Sequence, residues 1–358
     1  MIMTRKFSVA GIPFEVRLES PWKFMPYSAP VQQRIRKAAQ GAVLDILPTR
    51  AGDDVPSRTY VTCREDLPEN FDRSMLDFSQ YEPFATEEDA EPVFSVNVKG
   101  TWPDLVSDPS NELLFSIDDV EPYYKAFRTS GGRGLGQPHK SPDRTLFVFR
   151  TAEDVPVSAI MVSQDAKVGD FYVNGLKRPS SVVFYLCMCL RIMFSYNAAA
   201  HDALLLHASV ISHNSASTLF LGASGTGKST HSRLWLDHIA GAELVNDDNP
   251  VVRLEDGHWS VYGTPWSGKT PCYRNVKEPV RAFVRLSQSP ENHIERVKGI
   301  AAYAAFVGSV STVRWDKSVM DSMTALASDI AQNVPTYKMG CLPNAEAAEI
   351  CCREVEKQ

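Results

Sequence analysis

Gly222-Ala-Ser-Gly-Thr-Gly-Lys228-Ser229 is the stretch from which the rest of this chain is read. It satisfies G-x-x-x-x-G-K-[ST] at every position. Its surroundings suit the pattern too: Thr218-Leu-Phe-Leu221 runs into it as an apolar strand, and residues 229–240 leave it as a helix stopped by Gly241. Glycines at 222, 225 and 227 let the backbone take positive φ and turn its N–H groups inward onto phosphate oxygens. The helix that follows aims its positive end at the same anion. Lys228 neutralises charge at the β- and γ-phosphates, and the Ser229 hydroxyl can ligate Mg²⁺. Ala223, Ser224, Thr226 and Thr230 complete the expected nucleotide-binding set.

A magnesium nucleotide needs a carboxylate beyond Ser229, and phosphoryl transfer to a hydroxyl benefits from a base. Asp247 and Asp248 end a strand, with Asp247 19 residues after Lys228. Laid beside the phosphate-loop strand, that strand would deliver both carboxylates to the loop mouth, one for the metal and one for the acceptor proton. His207 is a polar residue inside Leu204-Leu-Leu-His-Ala-Ser-Val-Ile211, read as a single apolar strand pairing with the loop strand. That pairing puts His207 near the carboxylates. Tyr262-Gly-Thr-Pro-Trp-Ser-Gly-Lys-Thr-Pro-Cys-Tyr-Arg274 supplies two further cations, Lys269 and Arg274, for phosphate or acceptor, with Trp266 shielding the site from water.

Outward from the loop, residues 180–200 read as a long apolar helix. Asp256-Gly257 between two alternating runs is a hairpin signal. Strands are expected at 280–286 and 337–341. Apolar Val319, Met323, Leu326 and Ile330 repeat at helical spacing, and a helix closes the chain. Upstream, Gly11-Ile-Pro13 suggests a hairpin or bend, residues 32–47 a helix stopped by Pro48, and 93–98 a strand. Short strands recur at 113–117, 123–128, 146–150, 158–163 and 171–173, a spacing that suits an antiparallel meander. Gly131-Gly-Arg-Gly-Leu-Gly136 lacks phosphate-loop spacing and reads as a plain loop. The expected fold class is α/β: a P-loop nucleotide-binding domain over residues 177–358, preceded by a smaller β-rich α+β domain over 1–176.

Composition narrows the function. The chain has 358 residues, is 44% hydrophobic and 22% charged, and carries a net charge of −6; this describes a globular protein rather than a disordered or fibrous one. A mildly acidic balance argues against a nucleic-acid role, which needs clustered cations. The start lacks the apolar core of a signal peptide, and the longest apolar run, 182–190, stops at Arg191. A cytoplasmic protein without membrane contact is therefore expected. Seven cysteines at irregular spacing read as reduced thiols.

With these residues in place, the chain resembles the HPr kinase and phosphoenolpyruvate carboxykinase superfamily. Phe220-Leu-Gly-Ala-Ser-Gly-Thr-Gly-Lys-Ser-Thr230 is similar to that group's G-x-S-G-x-G-K-[ST] loop, Leu244-Val-Asn-Asp-Asp248 to its acidic second motif, and His207 to the histidine that precedes the loop. The resemblance covers residues 177–358. It implies a carboxykinase-like domain, ATP or ADP with Mg²⁺, and phosphoryl transfer to a serine hydroxyl in a peptide, protein or small molecule. Carried over, Asp247 is the better candidate for the base, helped by His207, and Asp248 for the metal alongside Ser229, although the order can be reversed. Thr230 stands where an acidic residue is common in HPr kinases, and their later signature segment is absent. Carboxykinase chemistry, an ADP- or pyrophosphate-dependent kinase and a nucleotide sensor without turnover remain the alternatives. Related kinases are often oligomeric, and the sequence leaves that state open here. Residues 1–176 match no motif with assignable chemistry and are expected to shape the acceptor side.

Overall fold

A computed structural model describes residues 2–25, 74–100, 104–118, 122–129, 144–173, 176, 178–268 and 270–357. The helix expected at 32–47, the glycine loop at 131–136 and Lys269 lie outside the described residues.

The first sheet is built from β1 (Ile2–Val9), β2 (Ile12–Glu19), β5 (Phe94–Lys99), β6 (Glu112–Ile117), β7 (Tyr123–Thr129), β8 (Arg144–Arg150), β9 (Pro156–Val162) and β10 (Val168–Val173). A minor pair, β3 (Lys23–Phe24) and β4 (Met75–Leu76), stands apart. The strand order is β1-β2-β5-β10-β9-β8-β7-β6. Val9 pairs with Ile12 across a two-residue turn, Ala10-Gly11, in which both residues have positive φ; this is the hairpin geometry that matches strand twist. From β6 to β10 every neighbour is antiparallel, which is the expected meander.

Helix α1 (Pro179–Asn197) begins with a proline at its first turn, where the missing N–H costs nothing. Its buried Val182, Leu186, Leu190, Met193 and Phe194 share one apolar cluster with Phe7, Phe14, Phe94 and Phe171 of the first sheet. The cluster continues into Leu205, Val251, Tyr262 and Trp266, so the helix joins the two halves of the chain. Residues 179–201 are long and apolar enough to cross a bilayer, with mean hydropathy 1.5, but 67% of that window is buried inside the fold. The apolar character is that of a core helix.

The second sheet comprises β11 (Ala203–Leu205), β12 (Ala208–His213), β13 (Ala216–Leu221), β14 (Glu243–Asp248), β15 (Val251–Glu255), β16 (His258–Tyr262), β17 (Lys277–Gln288), β18 (His293–Val297) and β19 (Thr336–Cys341). Its order is β11-β15-β16-β17-β13-β12-β14, with β19 on β17 and β18 on β19; β13, β17 and β19 run parallel. Alternate residues face opposite ways. Val210, Leu219, Leu221 and Phe283 meet α3 (Ile300–Val307) and α4 (Lys317–Asn333) through Phe306, Met323 and Ile330. Ile211, Phe220 and Val284 meet α2 (Lys228–His238) and α5 (Ala345–Val355) through Trp235, Ala348 and Cys351. The result is a mixed α/β protein with helices on both faces of this sheet. The six described cysteines are unpaired.

Two expectations are corrected. The strand read over 204–211 is two strands: β11 pairs with β15, and β12 pairs with β13 and β14. The break falls at Leu206-His207 because the chain changes partners there; Leu206 N–H donates to Pro250 O at 2.9 Å and His207 N–H to Ser309 O at 2.7 Å. Nor does β14 lie beside the phosphate-loop strand. β12 stands between them.

Candidate functional site

The intervening strand still brings the motifs together, through register. Ala208 is paired with Leu221 on one side and with Asp248 on the other. Gly222 follows Leu221 and His207 precedes Ala208, so the loop, the histidine and the acidic pair leave the sheet at a common edge.

The loop adopts the conformation its glycines permit. Gly225 and Gly227 have φ of +81° and +103°, and α2 starts at Lys228. Thr226 closes the turn, its N–H and hydroxyl both donating to Ala223 O, at 3.2 and 2.7 Å. Lys228 is buried, and its Nζ donates to His207 Nε2 at 2.9 Å, Gly222 O at 3.0 Å and Ala223 O at 3.3 Å. Burial pulls its pKa below the usual lysine range, against the attraction of Asp248 and Asp247.

The two carboxylates have different partners. Asp247 Oδ1 accepts from Ser229 Oγ at 2.9 Å. Asp248 Oδ1 lies 3.0 Å from His207 Nδ1. With Nδ1–H donated to Asp248, the other ring nitrogen has its lone pair free for Lys228, the tautomer this hydrogen-bond pattern requires. Burial pushes the Asp248 pKa up, but the His207 hydrogen bond and the charges of Arg191 and Lys228 act against it, and the carboxyl is held below its ordinary value. Asn249 Nδ2 donates to Asp248 Oδ2 at 2.7 Å. The turn after β14 is pinned by buried polar groups: Asn249 N–H donates to Asn246 Oδ1 at 3.0 Å, and Thr264 Oγ1 to Asn249 O at 2.7 Å. Such a network is favourable only when every member is satisfied.

These groups face a cavity of about 430 Å³. Ser224, Gly225, Gly227, Lys228, Ser229 and Thr230 line it from the loop side, and His207, Asp247 and Asp248 from the sheet edge. Gly222, Ala223 and Thr226 are not in its lining; they shape the loop behind it. Trp266 is in the wall. Arg274 is not. Its guanidinium donates to Leu244 O at 2.7 Å and to Glu243 Oε2 at 2.9 Å, clamping β14 from behind, so the phosphate or acceptor contact expected of it is replaced by a structural one.

Sequence reading missed the opposite wall. Gln80 from the first half of the chain, Cys187, Met188 and Arg191 from α1, and Tyr273 all line the cavity. Arg191 did carry a signal: it is the charge that ends the apolar run of α1. A charge on a buried helix face has to serve something.

The donor set suits a hard cation. Around Mg²⁺, oxygen ligands at about 2.0–2.1 Å in an octahedral shell stand about 2.9 Å from their neighbours. Ser229 Oγ and Asp247 Oδ1 stand at that separation, 2.9 Å.

No family model and no curated protein sequence matches the chain. Among solved structures, the HPr(Ser) kinase/phosphatase from Coxiella burnetii is similar at 15% identity, over 42% of this chain and 94% of that one, with a TM-score of 0.27.

Proposed function

We propose that this chain is an ATP-dependent phosphotransferase that moves the γ-phosphoryl group to a serine-type hydroxyl, with Mg²⁺. The reading rests above all on one observation: the two neighbouring carboxylates are already committed to different partners, one to the phosphate-loop serine and one to a histidine, at the mouth of a single cavity.

Loop amides and Lys228 hold the polyphosphate, for which Lys228 must leave His207 and the two loop carbonyls. Ser229 and Asp247 hold Mg²⁺, which neutralises charge on the phosphate oxygens when bound. Asp248, oriented by His207, faces the acceptor. This is the reverse of the order drawn from the family resemblance, and the hydrogen bonds favour it. The acceptor oxygen forms its bond to the γ-phosphorus as the bond from that phosphorus to the β–γ bridging oxygen breaks. ADP departs and the hydroxyl proton passes to Asp248. Little base strength is required, because the transition state is loose and proton loss comes late; a carboxylate of depressed pKa suffices.

The test compares wild type, Asp248→Asn and Asp247→Asn in γ-phosphate transfer and in calorimetric ATP·Mg²⁺ binding. Asp248→Asn should keep nucleotide binding and lose roughly 10²–10⁴-fold in transfer, the usual range for a positioned base. Asp247→Asn should raise the Mg²⁺ requirement. Undiminished transfer by Asp248→Asn would refute the assignment.

A further inference from the structure

Arg191 is the cation of the cavity that the proposed chemistry leaves unused. Its Nη1 donates to the neutral amide oxygen of Asn249 at 3.3 Å and its Nη2 to the thioether of Met188 at 3.3 Å. The first contact is long for a hydrogen bond and the second is to a weak acceptor, and no carboxylate among the described residues forms an ion pair with this guanidinium. Three other arginines of this half hold their partners more closely: Arg253 holds Ala10 O at 2.7 Å, Arg274 holds Leu244 O at 2.7 Å and Glu243 Oε2 at 2.9 Å, and Arg281 holds His213 O at 2.9 Å. A half-buried guanidinium that lines a cavity with no carboxylate at ion-pair distance is a prepared anion site, since its planar fork matches an oxyanion in two places.

Its position says which anion. A run of hydrogen bonds connects Lys228 to His207, His207 to Asp248, Asp248 to Asn249 and Asn249 to Arg191. Lys228 is at the nucleotide end of that run and Arg191 at the other, with the proposed base between them. The anion on Arg191 therefore belongs to the acceptor rather than to the nucleotide. Asp248 and Arg191 flank the same Asn249 amide, so the hydroxyl and the anion they address are neighbours on one small molecule.

We infer that Arg191 is an acceptor-binding residue that grips a carboxylate, and that the acceptor is a small hydroxy acid carrying its hydroxyl close to that carboxylate. This rests on the kinase reading above, and the experiment separates the two. Wild type, Arg191→Gln and Arg191→Lys are titrated with ATP·Mg²⁺, and with L-serine, D-glycerate and L-serinamide in the presence of ADP·Mg²⁺; phosphoryl transfer to the same three compounds and to a peptide with an internal serine is measured in parallel.

The expected result is that wild type binds and phosphorylates at least one of the two acids at least 100-fold better than the amide or the peptide. Arg191→Gln should abolish that preference while binding ATP·Mg²⁺ as wild type does, which also shows that it folds; Arg191→Lys should restore part of it. Binding of an acid that depends on Arg191, without any transfer, would uphold the subsite and defeat the kinase reading. Three results would overturn the subsite and leave the kinase reading intact: transfer to the amide or peptide as good as to the acids, an acid preference unchanged in Arg191→Gln, or a loss of ATP binding in that variant. Failure of both acids to bind wild type would also overturn it.

Discussion

Lys228 Nζ stands 2.9 Å from His207 Nε2, on the side of the imidazole opposite the one that holds Asp248. The histidine thus ties the phosphate-loop cation to the proposed base. A nucleotide that captures the lysine releases one side of the ring and leaves the aspartate contact in place. Replacing His207 should therefore separate binding from chemistry. His207→Ala is expected to bind ATP at least as tightly as wild type, because the lysine loses a competing acceptor. Its kcat should fall about 10²-fold, the scale of a misplaced catalytic group. Steady-state kinetics with calorimetry checks this. Weakened ATP binding with kcat preserved would show that the histidine serves the nucleotide instead.

Asp248 links the site to acid stability. Its pKa in the fold lies below the unfolded value of 3.8, because the His207 bond and nearby cations outweigh burial. A carboxylate shifted downward contributes stability that is fully present above its unfolded pKa and lost as pH falls through the folded one. Asp248→Asn should therefore be less stable than wild type near neutrality. The gap should close on acidification from about pH 5 to pH 2. Urea midpoints measured across that range give the answer, and a gap independent of pH would contradict it.

Gly268 offers a way to disturb the acidic pair without touching its charge. Its N–H donates to Asp247 O at 2.5 Å, and a Cβ added there would come within 2.7 Å of that same oxygen and 3.0 Å of Asp248 Cβ. The obstacle is backbone, which yields little. Gly268→Ala should thus cost at least 10-fold in transfer, by moving both carboxylates, while the melting temperature drops by only a few degrees, as for an ordinary substitution of about 1 kcal/mol. Full activity in this variant would mean that the bridge between Asp248 and Ser267 is dispensable.

What the sequence discloses follows from the range of each interaction. The glycine turn between β13 and α2, the Asp256-Gly257 hairpin, the meander and the amphipathic helix holding Val319 and Ile330 are local patterns, and each is present as a turn, sheet or helix where it was expected. Strand neighbours are not local. That β12 would separate β13 from β14, or that an unbroken apolar run would split at His207, depends on partners as distant as Pro250 and Ser309. The helix α3 was missed because Ile300-Ala-Ala-Tyr-Ala-Ala-Phe-Val307 is apolar without clear periodicity. The site divides along the same line. Lys228, Ser229 and the acidic pair announced themselves by spacing, whereas Gln80, Arg191 and Tyr273 come from three segments brought together only by packing. Arg274 misled because a cation near a glycine-rich stretch looks like a ligand-binding group until the carbonyl it holds is seen.

The apolar seam between α1 and the first sheet has a consequence for how the protein is made. Because α1 lies downstream of the sheet whose core it completes, that sheet leaves the ribosome with an oily face bare until residue 194 and its neighbours follow. Severing the chain at residue 176 and producing the pieces separately would make that exposure permanent in both, and each should aggregate where the intact polypeptide stays dispersed.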